Sequence, residues 1–146
     1  MKKLQLASTI ALLFVTSLCF ATNLESLNKA QVTKQVQGNT ITTVPMATLQ
    51  GKLLNNNPVT VFFDKNGSVR GQFAEKPADS DQTDTGTWKV SADGTLCATW
   101  QHWDNSKPIC VQVYNLNNAL VFVNAKNKKF ETMIMMENIK SGNKMN

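Results

Sequence analysis

Two cysteines, Cys97 and Cys110, are the pair in this chain whose residue type and spacing most directly suggest chemistry. A thiol redox pair uses the close Cys-x-x-Cys spacing that lowers the pKa of one thiol, and the spacing here is much wider. In an exported chain, two such cysteines are typical of a structural disulfide. We therefore predict a Cys97–Cys110 bridge, which would add about 2–3 kcal/mol of stability by closing its loop.

The loop between these cysteines contains His102, the single histidine of the chain. Histidine-based acid–base or metal chemistry would depend on His102-Trp103-Asp104, with Asp104 orienting the imidazole. No nucleophile is indicated beside it, and one histidine with one carboxylate is a poor metal set. Trp103 is a large aromatic residue in a polar loop with no evident core to enter. We therefore expect His102, Trp103 and Asp104 to form an exposed contact with a partner or ligand.

Three acidic residues, Asp79, Asp81 and Asp84, have a spacing that suggests a calcium loop. The EF-hand template would place glycine where Asp84 stands and glutamate where Val90 stands. A flexible acidic linker is the favoured interpretation. We predict no catalytic set, no metal site and no cofactor.

The first 21 residues have the form of a secretory signal peptide. Lys2 and Lys3 precede an apolar stretch over residues 4–20, and the small residue Ala21 follows. Polar interruptions make this stretch an unconvincing membrane span, and Leu18 before Cys19 does not suit a lipoprotein. We expect cleavage after Ala21 and no transmembrane segment in the mature chain.

Composition limits the remaining possibilities. The formal net charge is +5, and the lysine cluster at Lys126, Lys128 and Lys129 has no interleaved aromatic residues, so we expect a solvated turn and no nucleic-acid partner. The length after cleavage suits one domain with one modest core. We assign residues 1–21 to the signal peptide, residues 22–37 to an arm or short helix, and residues 38–146 to a single β domain.

Two hairpins can be assigned in register. Lys65-Asn66-Gly67 and Ala92-Asp93-Gly94 each suit a three-residue loop with glycine at the left-handed position. A slip of one residue would scatter the apolar side chains over both faces. The predicted facing pairs are Phe63 with Val69, Val61 with Gly71, Val59 with Phe73, Val90 with Leu96, Trp88 with Ala98, and Gly86 with Trp100.

The same alternation turns both cysteines to the outer face, so the bridge would join neighbouring strands. About eight or nine short strands follow Ile41, and the last runs from Phe130 to Met136. With no long crossover helix, this pattern predicts an all-β fold, either a small antiparallel meandering barrel, lipocalin-like in form, or a β-sandwich. The expected interior residues are Phe63, Phe73, Trp88, Trp100 and Phe122.

These motifs resemble those of a group of small exported bacterial proteins of unknown function. The matching segments are Gly38 to Ile41, Phe62 to Gly67, Thr85 to Trp88, Asp93 to Cys97, Trp100, and Cys110 to Val113. The resemblance implies a bacterial β domain in the periplasm or outside the cell, and it assigns no catalytic residue. The Gly-x-Trp segment is also similar to a lipocalin motif, but lipocalins carry it on the first strand, so the similarity extends only to barrel architecture.

The leading expectation for function is a non-enzymatic exported β domain that binds a protein partner or a small apolar ligand. One alternative is a secreted enzyme whose groups converge only in space. Another is an assembly module that pairs through a strand edge or through the last strand, where Met133, Met135 and Met136 occupy both faces. We expect a monomer or a weak dimer.

Overall fold

The computed structural model describes residues 24–44, 46–47, 53–55 and 57–145, so the predicted signal peptide lies outside the described residues. The described part contains one helix, eleven strands and two short 3-10 turns. The helix is α1 (Lys29–Val36), and the turns are Trp103–Ser106 and Met136–Asn138. The strands are β1 (Asn39–Thr42), β2 (Met46–Ala47), β3 (Leu53–Asn55), β4 (Val59–Phe63), β5 (Ser68–Phe73), β6 (Thr83–Val90), β7 (Leu96–Trp100), β8 (Ile109–Leu116), β9 (Ala119–Asn124), β10 (Phe130–Met135) and β11 (Ile139–Ser141).

Nine of these strands form one antiparallel sheet in the order β10-β9-β8-β7-β6-β5-β4-β1-β11, and β2 pairs with β3 separately. The sheet is nearly closed and barrel-shaped. β10 and β11 follow each other in the chain, and they pair with β9 and β1 at the two ends of the strand order. The Val44 N–H, just beyond β1, also donates to the Met133 carbonyl of β10 at 3.3 Å. The all-β prediction is confirmed, and the barrel is the form adopted.

Both predicted hairpin registers are confirmed. Phe63 faces Val69 in the first hairpin, and Trp88 faces Ala98 in the second. Gly67 and Gly94 have φ values of 87° and 85°, the left-handed conformation that the three-residue loops require. Apolar side chains therefore share the inner face of four consecutive strands.

The disulfide is also confirmed. Cys97 and Cys110 are direct cross-strand partners on β7 and β8, and their Cα atoms lie 4.1 Å apart. The inward side chains of the neighbouring pair, Leu96 and Val111, are buried in the core. The bridge thus joins the two strands on the outer face, beside the loop that contains His102.

The arm before the barrel forms the short helix α1. The Asn28 side chain accepts the Gln31 N–H at 3.0 Å, and the Gln31 side chain accepts the Asn28 N–H at 2.9 Å, which is a capping box. Val32 and Val36, one helical turn apart, have no exposed surface and belong to the barrel core. No helix in the described part of the chain is long and apolar enough to cross a membrane.

The helix covers the barrel end at which the two hairpin turns lie. The Gly38 N–H donates to the Phe63 carbonyl at 2.7 Å, and a Cβ atom at Gly94 would lie 2.2 Å from the Leu27 carbonyl oxygen. We call this the helix end, and the opposite end, where Trp103, Ile109 and Glu131 lie, the mouth.

The last predicted strand, Phe130 to Met136, is β10, and a further strand that was not predicted follows it. β10 ends at Met135, one residue earlier than predicted, and a 3-10 turn leads into β11. Three residues are too few to show a period-two pattern, so β11 could not be predicted from the sequence. Met136 packs against the core from this turn.

Candidate functional site

Trp103 lies in the barrel core at the mouth. Only 7% of its surface is exposed, and its ring centroid lies 4.6 Å from that of Phe73 and 4.7 Å from that of Trp100. The indole Nε1 donates to the Asp81 carbonyl at 2.9 Å. The expectation of an exposed Trp103 is therefore corrected.

Gly71 provides the space that Trp103 occupies. A Cβ atom at Gly71 would lie 2.4 Å from the Trp103 ring. A glycine at an inward position of a strand leaves room for a large side chain from elsewhere in the chain. Gly71 was therefore the residue from which a buried Trp103 could have been predicted. The contact role expected of His102 and Asp104 stays a prediction.

Asp84 fixes the loop that carries Trp103. Its buried carboxylate accepts the backbone N–H groups of His102 and Trp103 at 2.8 Å each, and that of Thr85 at 2.8 Å. Burial by itself would raise the pKa of Asp84, but the N–H donors of Trp103, His102 and Thr85, with the His102 ring, hold that pKa below its ordinary value. The carboxylate is thus a charged acceptor for several donors at the start of the loop.

Asp84 also replaces Asp104 as the partner of His102. The imidazole Nδ1 lies 3.1 Å from the Asp84 carboxylate, whose side chain is 1% exposed, whereas the imidazole is 68% exposed. Asp84 is in β6, so the acidic-linker interpretation is wrong for this residue. The sequence could have indicated this inward position, because Asp84 is an even number of residues before the inward-facing Trp88 and side chains alternate along a strand.

His102 borders a polar groove on the outer face of the barrel, with a volume of about 770 Å³. A carboxylate at one imidazole nitrogen is the arrangement that orients a general base. Within the described residues, however, every hydrogen bond of the His102 side chain goes to Asp84, and none joins it to a hydroxyl or thiol. The contacts account for the position of the loop and assemble no nucleophile. The groove is lined by Arg70, Gly71, Gln72, Lys76, Asp81, Gln82, Thr83, Asp84, Thr85, Gln101, His102, Asn143 and Met145.

The turn after Trp103 has an unusual backbone. Asp104, Asn105 and Ser106 have φ values of 55°, 54° and 58°. Left-handed conformations cost a residue with a Cβ roughly 1–2 kcal/mol, somewhat less for Asp and Asn. The Ser106 hydroxyl donates to the Gln101 carbonyl at 2.6 Å and closes the turn. Strain of this kind persists where surrounding contacts impose it, and here the buried Trp103 lies directly before the turn.

An apolar cavity of about 150 Å³, partly open to solvent, lies on the inner side of β7, β8, β9 and β10. Ala98, the smallest of its lining side chains, pairs with Ile109 of β8, which also lines the cavity. Apolar cavities of about this volume can accept a single aromatic ring. The lining residues are Phe63, Leu96, Ala98, Trp100, Ile109, Val111, Phe122, Glu131 and Thr132.

Two polar residues border the cavity at the mouth. The Thr132 hydroxyl oxygen is buried and has no hydrogen-bond partner. Glu131 is exposed, stands at a register shift between Phe130 and Thr132, and accepts the Asn124 side-chain N–H at 2.8 Å. Burial, with the nearby charge of Glu131, raises the pKa of Asp104. The mouth therefore combines an apolar wall with an unsatisfied hydroxyl and two carboxylates.

The predicted interior residues divide into two groups. Phe63, Trp100 and Phe122 are buried and line the cavity. Phe73 packs on Trp103, and Trp88 packs edge-on against Phe63 with its Nε1 donating to the Asp64 carbonyl at 2.8 Å. The structure brings the first group to one site and leaves the other two outside it.

No protein-family model matches this chain, and no curated protein or solved structure matches it. Across the described residues there is also no group of three or more histidine, cysteine or acidic side chains that could hold a metal ion. The geometry of the barrel and its mouth is therefore the basis for inferring what this chain binds.

Proposed function

We propose that this chain is an exported β-barrel that binds one small apolar molecule in its interior cavity. The observation that carries the proposal is the cavity of about 150 Å³ with walls made by inward side chains of the barrel strands. A fully packed core would have left no such space, since protein interiors are as dense as organic crystals.

The affinity expected for such a ligand is modest. A single aromatic ring that buries roughly 200 Å² would gain about 5 kcal/mol from apolar burial, before the cost of association. Since the cost of association reduces this gain, we expect a Kd of about 1 mM or weaker for a bare ring, with tighter binding for a ligand that also satisfies the polar groups at the mouth.

Export is supported by the Cys97–Cys110 bridge together with the signal peptide that the sequence predicts. Disulfides persist in oxidising compartments and are rare in the bacterial cytosol. We propose the periplasm or the cell exterior as the site of action.

The two alternative functions have less support. An enzyme would need a nucleophile or a second proton carrier beside His102, whose side-chain contacts in the described residues go to Asp84 alone. An assembly module would need an accessible strand edge, and a nearly closed barrel leaves little free edge.

Filling the cavity provides the test. In Ala98→Leu, three additional carbon atoms would occupy the space beside Ile109 and Trp100, so we expect toluene affinity to fall by more than tenfold. Thr99→Leu is the matched control, because it adds apolar bulk on the outer face of the same strand. Binding is measured by chemical-shift changes of the Ile109 and Val111 methyl groups and by Trp fluorescence in the oxidised protein.

Two outcomes would overturn the proposal. One is the absence of toluene-dependent shifts in the wild-type protein, a result that does not depend on how any variant folds. The other is equal toluene affinity in the wild type and a folded Ala98→Leu variant.

A further inference from the structure

We propose that the ligand of the cavity carries a protonated amine on its apolar body, which Glu131 and Thr132 bind at the mouth. This inference rests on the proposed function and adds the chemical class of the ligand's polar end. It also gives Glu131 and Thr132, which the sequence alone did not single out, a role in ligand specificity.

Thr132 supplies the first reason for a polar end. Its Cα pairs with that of Phe122, so both side chains are on the inner face, and both line the cavity. Its hydroxyl oxygen is buried with no partner, and a buried polar group without a partner carries a free-energy penalty. A ligand N–H directed at this oxygen would remove the penalty.

Glu131 supplies the negative charge. At the register shift in β10 it is an extra residue between two regular pairs, and such bulges redirect a side chain at the rim of a barrel. Its Oε1 accepts the Asn124 amide at 2.8 Å, which fixes the carboxylate beside the cavity. A carboxylate in this position favours a cationic end of the ligand and disfavours an anionic end.

Asp104 adds a second carboxylate at the same mouth. It follows the buried Trp103 directly and is the first of the three left-handed residues of the turn. Two neighbouring carboxylates repel each other, and a cation between them would relieve that repulsion.

Lys128, in the turn before β10, is directed away from this charge. Lys128 donates to the Gln112 side chain at 2.8 Å, away from the inner face on which Val111 and Val113 lie. In the part of the chain that the structure describes, no lysine or arginine lies within ion-pair distance of Glu131 or Asp104.

A series of single-ring probes that differ in charge tests the inference. Benzylammonium, benzyl alcohol and benzoate share one apolar body, and we expect benzylammonium to bind the wild type at least about fivefold more tightly than benzyl alcohol. Benzoate should bind most weakly. Raising the salt concentration should weaken benzylammonium binding and leave benzyl alcohol binding unchanged.

Variants locate the interaction. Glu131→Gln should lower benzylammonium affinity to that of benzyl alcohol while toluene affinity stays the same. Thr132→Val should weaken benzylammonium and benzyl alcohol but not toluene. Glu137→Gln is the control, because Glu137 is an exposed acid in the 3-10 turn after β10 and should change none of these affinities.

The possible results separate this inference from the proposed function. If toluene binds but benzylammonium gains nothing over benzyl alcohol, the amine inference is wrong and the apolar-ligand function survives. If no probe binds, both are wrong. Because the charge series and its salt dependence use the wild-type protein, these decisions hold even if Glu131→Gln fails to fold.

Discussion

The two ends of this barrel are closed by different means. At the helix end, Val32 and Val36 insert fully buried side chains into the core, and the helix begins with a complete capping box. At the mouth, the aromatic side chain of Trp103 packs into the core. Its loop is held by hydrogen bonds from the backbone N–H groups of His102 and Trp103 to the buried carboxylate of Asp84.

Backbone conformation shows the same contrast. Two hairpin turns at the helix end have glycine at the left-handed position, Gly67 and Gly94, and the β8–β9 turn has the single residue Asn117 there, whereas the mouth turn has three consecutive left-handed residues with side chains. Strained backbone and incompletely satisfied polar groups concentrate at functional sites. We infer, on the proposed function, that the helix end serves stability and that the mouth gives up stability to hold a ligand.

The largest expected effect is that of Trp103→Ala. Removing this buried indole should destabilise the protein by about 3–5 kcal/mol, measured by urea unfolding, because the cavity it leaves cannot fully collapse. The mouth loop would also lose its anchor, so toluene binding should weaken as well.

Val36→Ala at the helix end is the matched comparison. It should cost about 2 kcal/mol of stability through lost apolar burial and leave toluene affinity unchanged. Equal losses of toluene affinity in the two folded variants would contradict the division of roles between the ends.

Asp84→Asn should have the next largest effect. An asparagine amide cannot replace a carboxylate as a charged acceptor for several donors, so we expect a loss of about 2–3 kcal/mol at pH 7. Because the folded pKa of Asp84 is lowered, its contribution is fully present above the ordinary value of about 3.9 and is lost as the pH falls through the folded pKa.

Urea unfolding between pH 3 and pH 7 measures this difference. The stability gap between wild type and Asp84→Asn should be constant above about pH 5 and should narrow below about pH 4. Asp79→Asn, at an exposed position of the preceding loop, is the control and should leave the curve unchanged. A gap that stays constant down to pH 3 would mean that the Asp84 charge does not support the loop.

The sequence predicted the parts of the fold that depend on local patterns. Both hairpin registers follow from alternation around Gly67 and Gly94, and the disulfide follows from the same alternation carried to Cys97 and Cys110. These features need only neighbouring strands, so period-two reasoning is sufficient.

The mouth was harder to predict because its contacts span distant parts of the chain. Asp84 of β6 contacts His102 and Trp103 across 18 and 19 residues, and the Gly71 site that receives Trp103 lies on β5. Glu131 and Thr132 gave no sequence signal, since their roles depend on a register shift in β10 and on a cavity that appears only when the sheet closes.

The smallest expected effect is that of Asp104→Asn, and it has the opposite sign. Partial desolvation of its carboxyl and the charge of Glu131 raise the pKa of Asp104, so its ionised form disfavours the folded state and stability falls as the pH rises through that pKa. Removing the charge should stabilise the protein at pH 7 by less than about 1 kcal/mol, because the residue is exposed and screened. Asparagine and aspartate tolerate the left-handed conformation about equally, so the substitution should add no backbone strain that would offset the gain in stability.

The same variant should weaken benzylammonium binding while it stabilises the fold. Stability is measured by urea unfolding at pH 7 in low and high salt, where screening should reduce the gain, and Glu137→Gln is the control for removal of an exposed acid. A loss of stability in Asp104→Asn would show that this carboxylate supports the mouth turn. It would also contradict the view that the mouth gives up stability to keep two acids beside the cavity.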